Sequence, residues 1–444
     1  MKTRICHVVF SSSKDVYTTC TFEKNTNKSA AGFRKLLTGI FILLACIFTG
    51  NAIAQQGDTI RRSLEVYGFA QLDAGYDFKQ INPNWFDALR ITKLPTYKDQ
   101  FAPDGRTFMG VRQTRFGVRG YTPTPMGELK VVYEFDMFGV GVDEGQTTMR
   151  LRHAYGEIGK FLVGQTETPF QDRDLWPNTI EYWGPTGMVF FRNVQIRYAP
   201  VKGENEVFIA LERPGASADQ GTFADRIELD SVRGKNPLPD LSLHYRRSGT
   251  WGHVQLAGMF RKLEWVDIHT TGGYDISGST TGWGAHLSTV LNLGKSLVFR
   301  GSIVRGEGIQ NYMQDAPVDV GVIPTGNSAK PVEGKALPIT GTMAWLDYNV
   351  NANWWISAGY STASIDNTAD ASPTAYKKGD YALLTIGNTP FKNAMAAIEF
   401  QWGQREGFNG FTSDDQKIML SFKYSFSQLF NLTRKGGGQS GEQQ

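Results

Sequence analysis

Between Gly127 and Gly139 the chain alternates strictly. Leu129, Val131, Tyr133, Phe135 and Met137 fall on one face, and Lys130, Glu134 and Asp136 on the other. Near the end, Ile418, Leu420, Phe422, Tyr424 and Phe426 share a face opposite Lys417, Ser421 and Lys423. A period of two predicts strands. Sixteen such runs of about ten residues follow one another, from 64–77, 111–122 and 128–139 through to 414–426. Their connections alternate in length. After the even runs they are short, as in "GK" (Gly159, Lys160) or "VNAN" (Val350 to Asn353). After the odd runs they are mostly long, notably 78–110, 167–189, 213–239, 307–338 and 365–379. Loops of that length are uncommon in compact soluble domains. An even strand count with every long loop at one end predicts an all-β fold: a 16-stranded antiparallel transmembrane β-barrel with long outer loops and short periplasmic turns.

Aromatic positions fit the same picture. Tyr155, Tyr198, Tyr245, Tyr348, Trp354, Tyr424 and Phe426 stand beside short turns on the apolar parity, where a girdle at the membrane interface belongs. The arginines fit it too. With Phe116, Val118, Met149 and Leu151 turned to lipid, Arg115, Arg119, Arg150 and Arg152 point into the barrel, as do Arg197, Arg246, Arg261 and Arg300. A lipid-facing arginine near the midplane costs about 2–4 kcal/mol, which a wet lumen avoids. Arg112 and His153 fall on outward parity. That puts Arg112 at the outer mouth and lets His153 contact another subunit. Glu134 and Asp136 lie on the strand between the arginines. They either neutralise the arginines as wall salt bridges or leave a modest positive excess for a solute.

The loop "TETPFQDRDLWPNTIEYWGPTGM" (Thr166 to Met188) carries Glu167, Asp172, Asp174 and Glu181, with Pro and Trp to stiffen it. It is expected either to fold inward over 167–188 and narrow the pore or, alternatively, to form an outer lid packed on a neighbour. In the first case Asp172 and Asp174 would oppose the arginine sector across the lumen.

Composition and chemistry narrow the class. With 49 glycines and 12% aromatics, the chain suits many turns and broad strands. Arg34 and Lys35, the apolar run "LLTGIFILLACIFTG" and the "AIA" at Ala52 to Ala54 read as a secretory signal peptide. The run is short for a transmembrane helix of about 20 residues. A lipidated Cys46 is disfavoured because apolar residues continue beyond it. The expected segments are a leader (1–54), a short periplasmic piece (55–63), the barrel (64–426) and a flexible tail (427–444). All three cysteines, Cys6, Cys20 and Cys46, lie in the leader, so the processed chain has no thiol chemistry. The leader also holds seven of the 46 basic but only two of the 43 acidic residues. Its removal leaves a slight acidic excess and no case for nucleic acid as a partner. No G-x-S-x-G, H-E-x-x-H or C-x-x-C motif is present, and "GKS" at Gly294 to Ser296 lacks the upstream glycine of a phosphate loop. Neither a metal nor a cofactor is indicated. A barrel enzyme with a dispersed Ser–His pair, an adhesin and an energy-coupled, substrate-specific transporter are the alternatives. No plug-sized segment precedes the first strand, which disfavours the transporter.

The stretches "RQTRFGVRGYTPTPMGELKVVYEFDMFG", "RLRHAYGEIGKFLVGQTETPFQD", "GPTG" and "VQIRYAP", together spanning Arg112 to Pro200, resemble the DcaP-like outer-membrane porin family. The resemblance implies a sixteen-stranded homotrimeric channel in the bacterial outer membrane, surrounded by lipid. It would pass small anionic solutes, dicarboxylates among them. On the matching segments it implies Arg115, Arg119, Arg150 and Arg152 as interior arginines and 167–188 as the narrowing loop. Two features depart from the family pattern. "QQGDTIRRS" is too short for the coiled coil some members carry, and the chain continues past Phe426, where a terminal aromatic usually ends such barrels.

Overall fold

The computed structural model describes residues 3–10, 16–23, 61–223, 229, 231–268 and 273–433. Two compact units are present, Met1–Asp58 and Thr59–Gln444. In the first, Thr3–Phe10 and Val16–Glu23 pair as an antiparallel hairpin. The apolar run, Cys46 and the Ala52–Ala54 site lie outside the described residues.

The second unit is a closed antiparallel barrel. Its sixteen staves are β1 (Arg61–Asp77), β2 (Arg106–Gly110 and Arg115–Thr124), β3 (Gly127–Phe138), β4 (Thr147–Ile158), β5 (Phe161–Glu167), β6 (Arg192–Val201), β7 (Asn205–Glu212), β8 (Val232–Lys235 and Asp240–Gly249), β9 (Gly252–Asp267), β10 (Gly278–Asn292), β11 (Leu297–Glu307), β12 (Pro338–Asn349), β13 (Trp354–Ile365), β14 (Tyr376–Asn388), β15 (Ala394–Gly407) and β16 (Thr412–Thr433). Each stave pairs with the next, and β16 closes on β1 from Lys417↔Asp77 to Thr433↔Arg61. A 12-residue stave such as β3 rises about 40 Å. Tilted by about 40°, it spans the hydrocarbon layer. Among the described residues no helix is long and apolar enough to cross a membrane; the barrel crosses with strands.

Alternation survives as a lipid face and a lumen face. Outward residues such as Leu256, Phe260, Phe400 and Phe422 are exposed, while inward Glu399, Ser357 and His286 are buried. The girdle residues Tyr198, Tyr245, Tyr348, Trp354, Tyr424 and Phe426 are exposed, as their parity requires.

Four details differ from the sequence reading. In β4 the register slips between Glu134↔His153 and Phe135↔Leu151, so Arg152 is an extra residue. Such a β-bulge inverts the facing of everything beyond it. His153 therefore turns inward, and so does Tyr155, paired with inward Val132 and standing under Lys130 rather than in the girdle. Second, β2 begins with Arg106–Gly110, inside the expected loop 78–110, and then turns at Val111 to Thr114. Arg112 sits in that turn, where strand parity does not apply. It is buried against Asp87 at 2.6 Å and over the Phe138 ring at 3.9 Å, not at an outer rim. Third, β16 continues beyond Phe426 to Thr433, so the first part of the expected tail is strand. At the other end, β1 takes in Arg61 to Ser63 of the expected periplasmic piece. Fourth, loop residues add a small sheet of Ala218–Asp219, Val320–Asn327 and Lys330–Ala336.

The main apolar core lies within the barrel. Ile81, Trp85, Leu89 and Ile91 from the loop after β1, Phe170, Leu175 and Met188 from the loop after β5, and Ile309, Tyr312 and Met313 from the loop after β11 are buried together. They pack on wall residues Met259, Met343, Trp345 and Tyr381. Each large apolar side chain so buried contributes about 1.5–3 kcal/mol. Three long loops thus fold inward and fill part of the bore.

Candidate functional site: the loop-narrowed lumen

The loop after β5 is fastened to the wall at several points. Asp172 accepts from Arg246 Nη2 (2.6 Å), His253 Nε2 (2.8 Å) and Ser288 Oγ (2.7 Å), on β8, β9 and β10. Burial alone would raise the Asp172 carboxyl, but the His253 and Ser288 bonds and the Arg246 charge outweigh it and hold the group well below the usual range. Asp174 joins the same Arg246. Carbonyls of Pro169 and Phe170 meet Nδ1 of His244 and His286. On the far side, Glu399 of β15 accepts the amides of Ile180 and Glu181 at 2.9 and 3.1 Å. Glu181 is itself buried and accepts the amides of Leu89 and Trp183 and the Tyr381 hydroxyl. Desolvation pushes its carboxyl upward. In "GPTG", Gly184 has φ of +90°, and a Cβ at Gly187 would overlap the Thr362 carbonyl oxygen. The first glycine makes the turn; the second lets the loop backbone lie on the wall, its amide 2.8 Å from Ser361 Oγ.

This arrangement differs from the expected one, in which Asp172 and Asp174 faced the arginine sector across water. The loop acids are spent on fastening the loop. Asp172, Asp174 and His253 bring ligand atoms within 4.8 Å of one another, but the Arg246 guanidinium lies on both carboxylates and fills the place of a cation.

The opposite wall carries the arginines. Arg150 grips Asp136 with two bonds of 3.0 and 2.6 Å. Arg152 spans Glu134 and Asp136, each at 2.8 Å. Arg115 lies 3.6 Å from Glu134. Tyr182 of the loop stacks on Phe138 and donates its hydroxyl to Asp136. Glu167, closing β5, lies between His153 Nε2 (3.3 Å) and Arg192 (3.8 Å). The two acids of β3 therefore act as wall partners, yet each is shared among several cations.

A cavity of about 790 Å³ opens between this wall and the loop. Seven cationic side chains line it: Arg90, Arg115, Arg150, Arg152, Arg173, Arg192 and Lys423. Three carboxylates do, those of Glu167, Asp172 and Glu181. Of the arginines expected in one sector, Arg115, Arg150 and Arg152 are brought together here. Arg119 is not; it pairs with Glu65 at 3.1 Å over the Tyr67 ring. Arg197 lines a second cavity of about 330 Å³ nearer the short turns. Arg261 and Arg300 are tied to Asp240, Asp319 and Asp347.

Sequence reasoning missed Arg90, Arg173, Arg192 and Lys423. Strand parity already set Lys423 on the polar face of β16. Arg192 opens β6, just where that strand's alternation begins. Arg90 and Arg173 are loop residues, where no period assigns a direction. Arg90 lies between the rings of Trp85 and Trp183, at 4.4 and 4.2 Å from their centroids, with Asp315 at 2.8 Å.

Comparison with solved structures gives the same architecture. The outer membrane channel DcaP of Acinetobacter baumannii aligns with a TM-score of 0.70 at 20% identity, covering 82% of this chain and 97% of that one. An anion-selective porin from Comamonas acidovorans aligns at 0.53 and 11% identity, covering 82% and 100%. OmpT of Vibrio cholerae in its trimer form aligns at 0.50 and 12%, covering 82% and 99%. Among curated proteins none matches. The family model described as DcaP outer membrane protein matches residues 50–426. A chain that builds this sixteen-stave barrel, and that the family model spans from before its first strand to Phe426, belongs to the DcaP outer membrane protein family, channels of the bacterial outer membrane.

Proposed function

We propose that the channel favours small anions, and carboxylates above halides. The reading is carried by the side chains that face the larger cavity, seven cations and three carboxylates; Glu134, Asp136 and Asp315 stand behind Arg115, Arg150, Arg152 and Arg90 and leave a smaller excess. Low-dielectric walls focus that excess into the bore. Planar guanidinium groups bind carboxylates through paired, charge-assisted hydrogen bonds that a halide cannot form. The likeness to an anion-selective porin supports the fold only, but it agrees in direction. The resemblance to the family adds dicarboxylates as the natural solute class. The trimer form of a structural neighbour supports a homotrimer. The leader is proposed to be removed as a signal peptide. Ser288 and His253 each bond to Asp172 and so serve the loop clasp.

The test is the reversal potential of the native channel in a salt gradient, in chloride and then in succinate. Anion preference, larger at low salt, is expected, since screening lengths fall from about 30 Å at 0.01 M to about 3 Å at 1 M. Cation preference at low salt would overturn the reading.

A further inference from the structure

Among the described residues, the larger cavity and the smaller one share part of their lining. Glu167, Gln171 and Arg173 line both the larger cavity and the smaller one toward the short turns. Among the described residues, Arg173 is the only cation common to the two. It belongs to the inward loop, one residue after the clasped Asp172, so its backbone is held while its side chain remains 44% exposed. Its guanidinium rests on Glu206 at 3.1 Å.

We propose that the smaller chamber is a second carboxylate station, centred on Arg197, and that Arg173 hands the solute from one chamber to the other. The inference rests on the anion-channel reading above and adds where the solute pauses. Arg197 stands over the Phe208 ring at 4.3 Å and forms no ion pair among the described residues. The carboxylates nearby are committed elsewhere. Glu157 holds Lys202 at 2.7 Å, and Glu206 holds Arg173 and His244. Lys130, on the same chamber wall, also forms no ion pair among the described residues, its ammonium 5.8 Å from the Tyr155 ring centroid. An incoming carboxylate can take the place of Glu206 on Arg173, because one charge-assisted pair replaces another of the same kind. From there the unpaired Arg197 and Lys130 offer the next cations. In the larger chamber, by contrast, Glu134 and Asp136 already share Arg150 and Arg152, so they compete with a bound carboxylate and favour its release.

The experiment uses succinate as a blocker of chloride current through single channels of known orientation. Added from the short-turn side, succinate should block the native channel. Arg197→Gln with Lys130→Gln should raise the half-blocking concentration from that side by about tenfold and from the long-loop side by less than twofold. Arg173→Gln should raise it from both sides. Arg197→Lys, which keeps the charge and controls for folding, should restore most of the short-turn block. A double variant with unchanged block from the short-turn side, or with equal change from both sides, overturns the second station. Block from neither side in the native channel overturns the anion reading and this inference together.

Discussion

Asp172 on the inward loop and Arg246 on β8 form a buried ion pair across 2.6 Å, with His253 and Ser288 completing the carboxylate's bonds. Removing one partner of a buried pair costs about 3–5 kcal/mol where the charge left behind is uncompensated; here Asp174 still meets Arg246, which makes the cost smaller. Asp172→Ala should therefore loosen this end of the loop while the barrel stays closed. Higher and noisier single-channel conductance would report it. A quiet channel of native conductance would show that the Glu399 end suffices to hold the loop.

Deleting about 170–185 removes Asp172, Trp176, Ile180 and Glu181, which are contacts at both ends of the loop. Conductance should rise well beyond the effect of Asp172→Ala. A folded deletion variant with native conductance would place the narrowing elsewhere, in the loops after β1 or β11.

Arg115→Ala with Arg152→Ala takes two cations from the larger chamber and leaves Glu134 with His153 and the Tyr67 hydroxyl as its nearest partners. Anion preference at low salt should fall by several-fold or reverse. Reversal potentials measured beside the native channel decide it; unaltered selectivity would mean that Arg192, Arg173 and Lys423 set the field.

Acid should leave the loop clasp in place over a wide range. The Asp172 carboxyl is held below its ordinary value, so folding favours its ionised form. The stability it contributes is fully present above the ordinary value near 3.9 and is lost only as pH falls through the depressed one. Conductance should be steady from neutral to about pH 4 and rise only in stronger acid. A rise that begins between pH 6 and 5 would assign the opening to another group.

The exported chain should begin near Gln55 and contain no cysteine. Intact mass of the protein extracted from outer membranes checks both. An N-terminus at Met1, or a diacylated Cys46, would contradict the signal-peptide reading.

Much of the barrel was legible because membrane and lumen impose opposite polarity on neighbouring residues. β3 and β16 follow their alternation without a break, and the inward facing of Arg115, Arg150 and Arg197 could be counted from it. Counting failed where the backbone stopped being regular. One extra residue at Arg152 reversed His153 and Tyr155, and the turn around Arg112 hid the first segment of β2. The inward loop was foreseen as a segment, but not its bonding. Nothing local in "QDRD" tells which of Asp172, Arg173 and Asp174 will meet the wall. That depends on Arg246, His253 and Ser288, more than seventy residues away. Charge on strands has a direction that the sequence dictates; charge on loops takes its direction from whatever it lands on.

The seam between β16 and β1 joins the two ends of the barrel, Lys417 to Asp77 and Thr433 to Arg61. Contacts so distant along the chain are the slowest to form, because the entropy of closing the loop precedes any gain from pairing. Until they form, β1 is an open edge, and open edges recruit other chains. The strand beyond Phe426 matters in this light, since Ser427 to Thr433 cover Tyr67 to Arg61. A chain ended at Phe426 would keep its lumen and its charges, but would insert with the start of β1 unpaired on its β16 side. Its defect would be one of assembly, seen as slower sealing and more aggregate, with normal conductance in every barrel that closes.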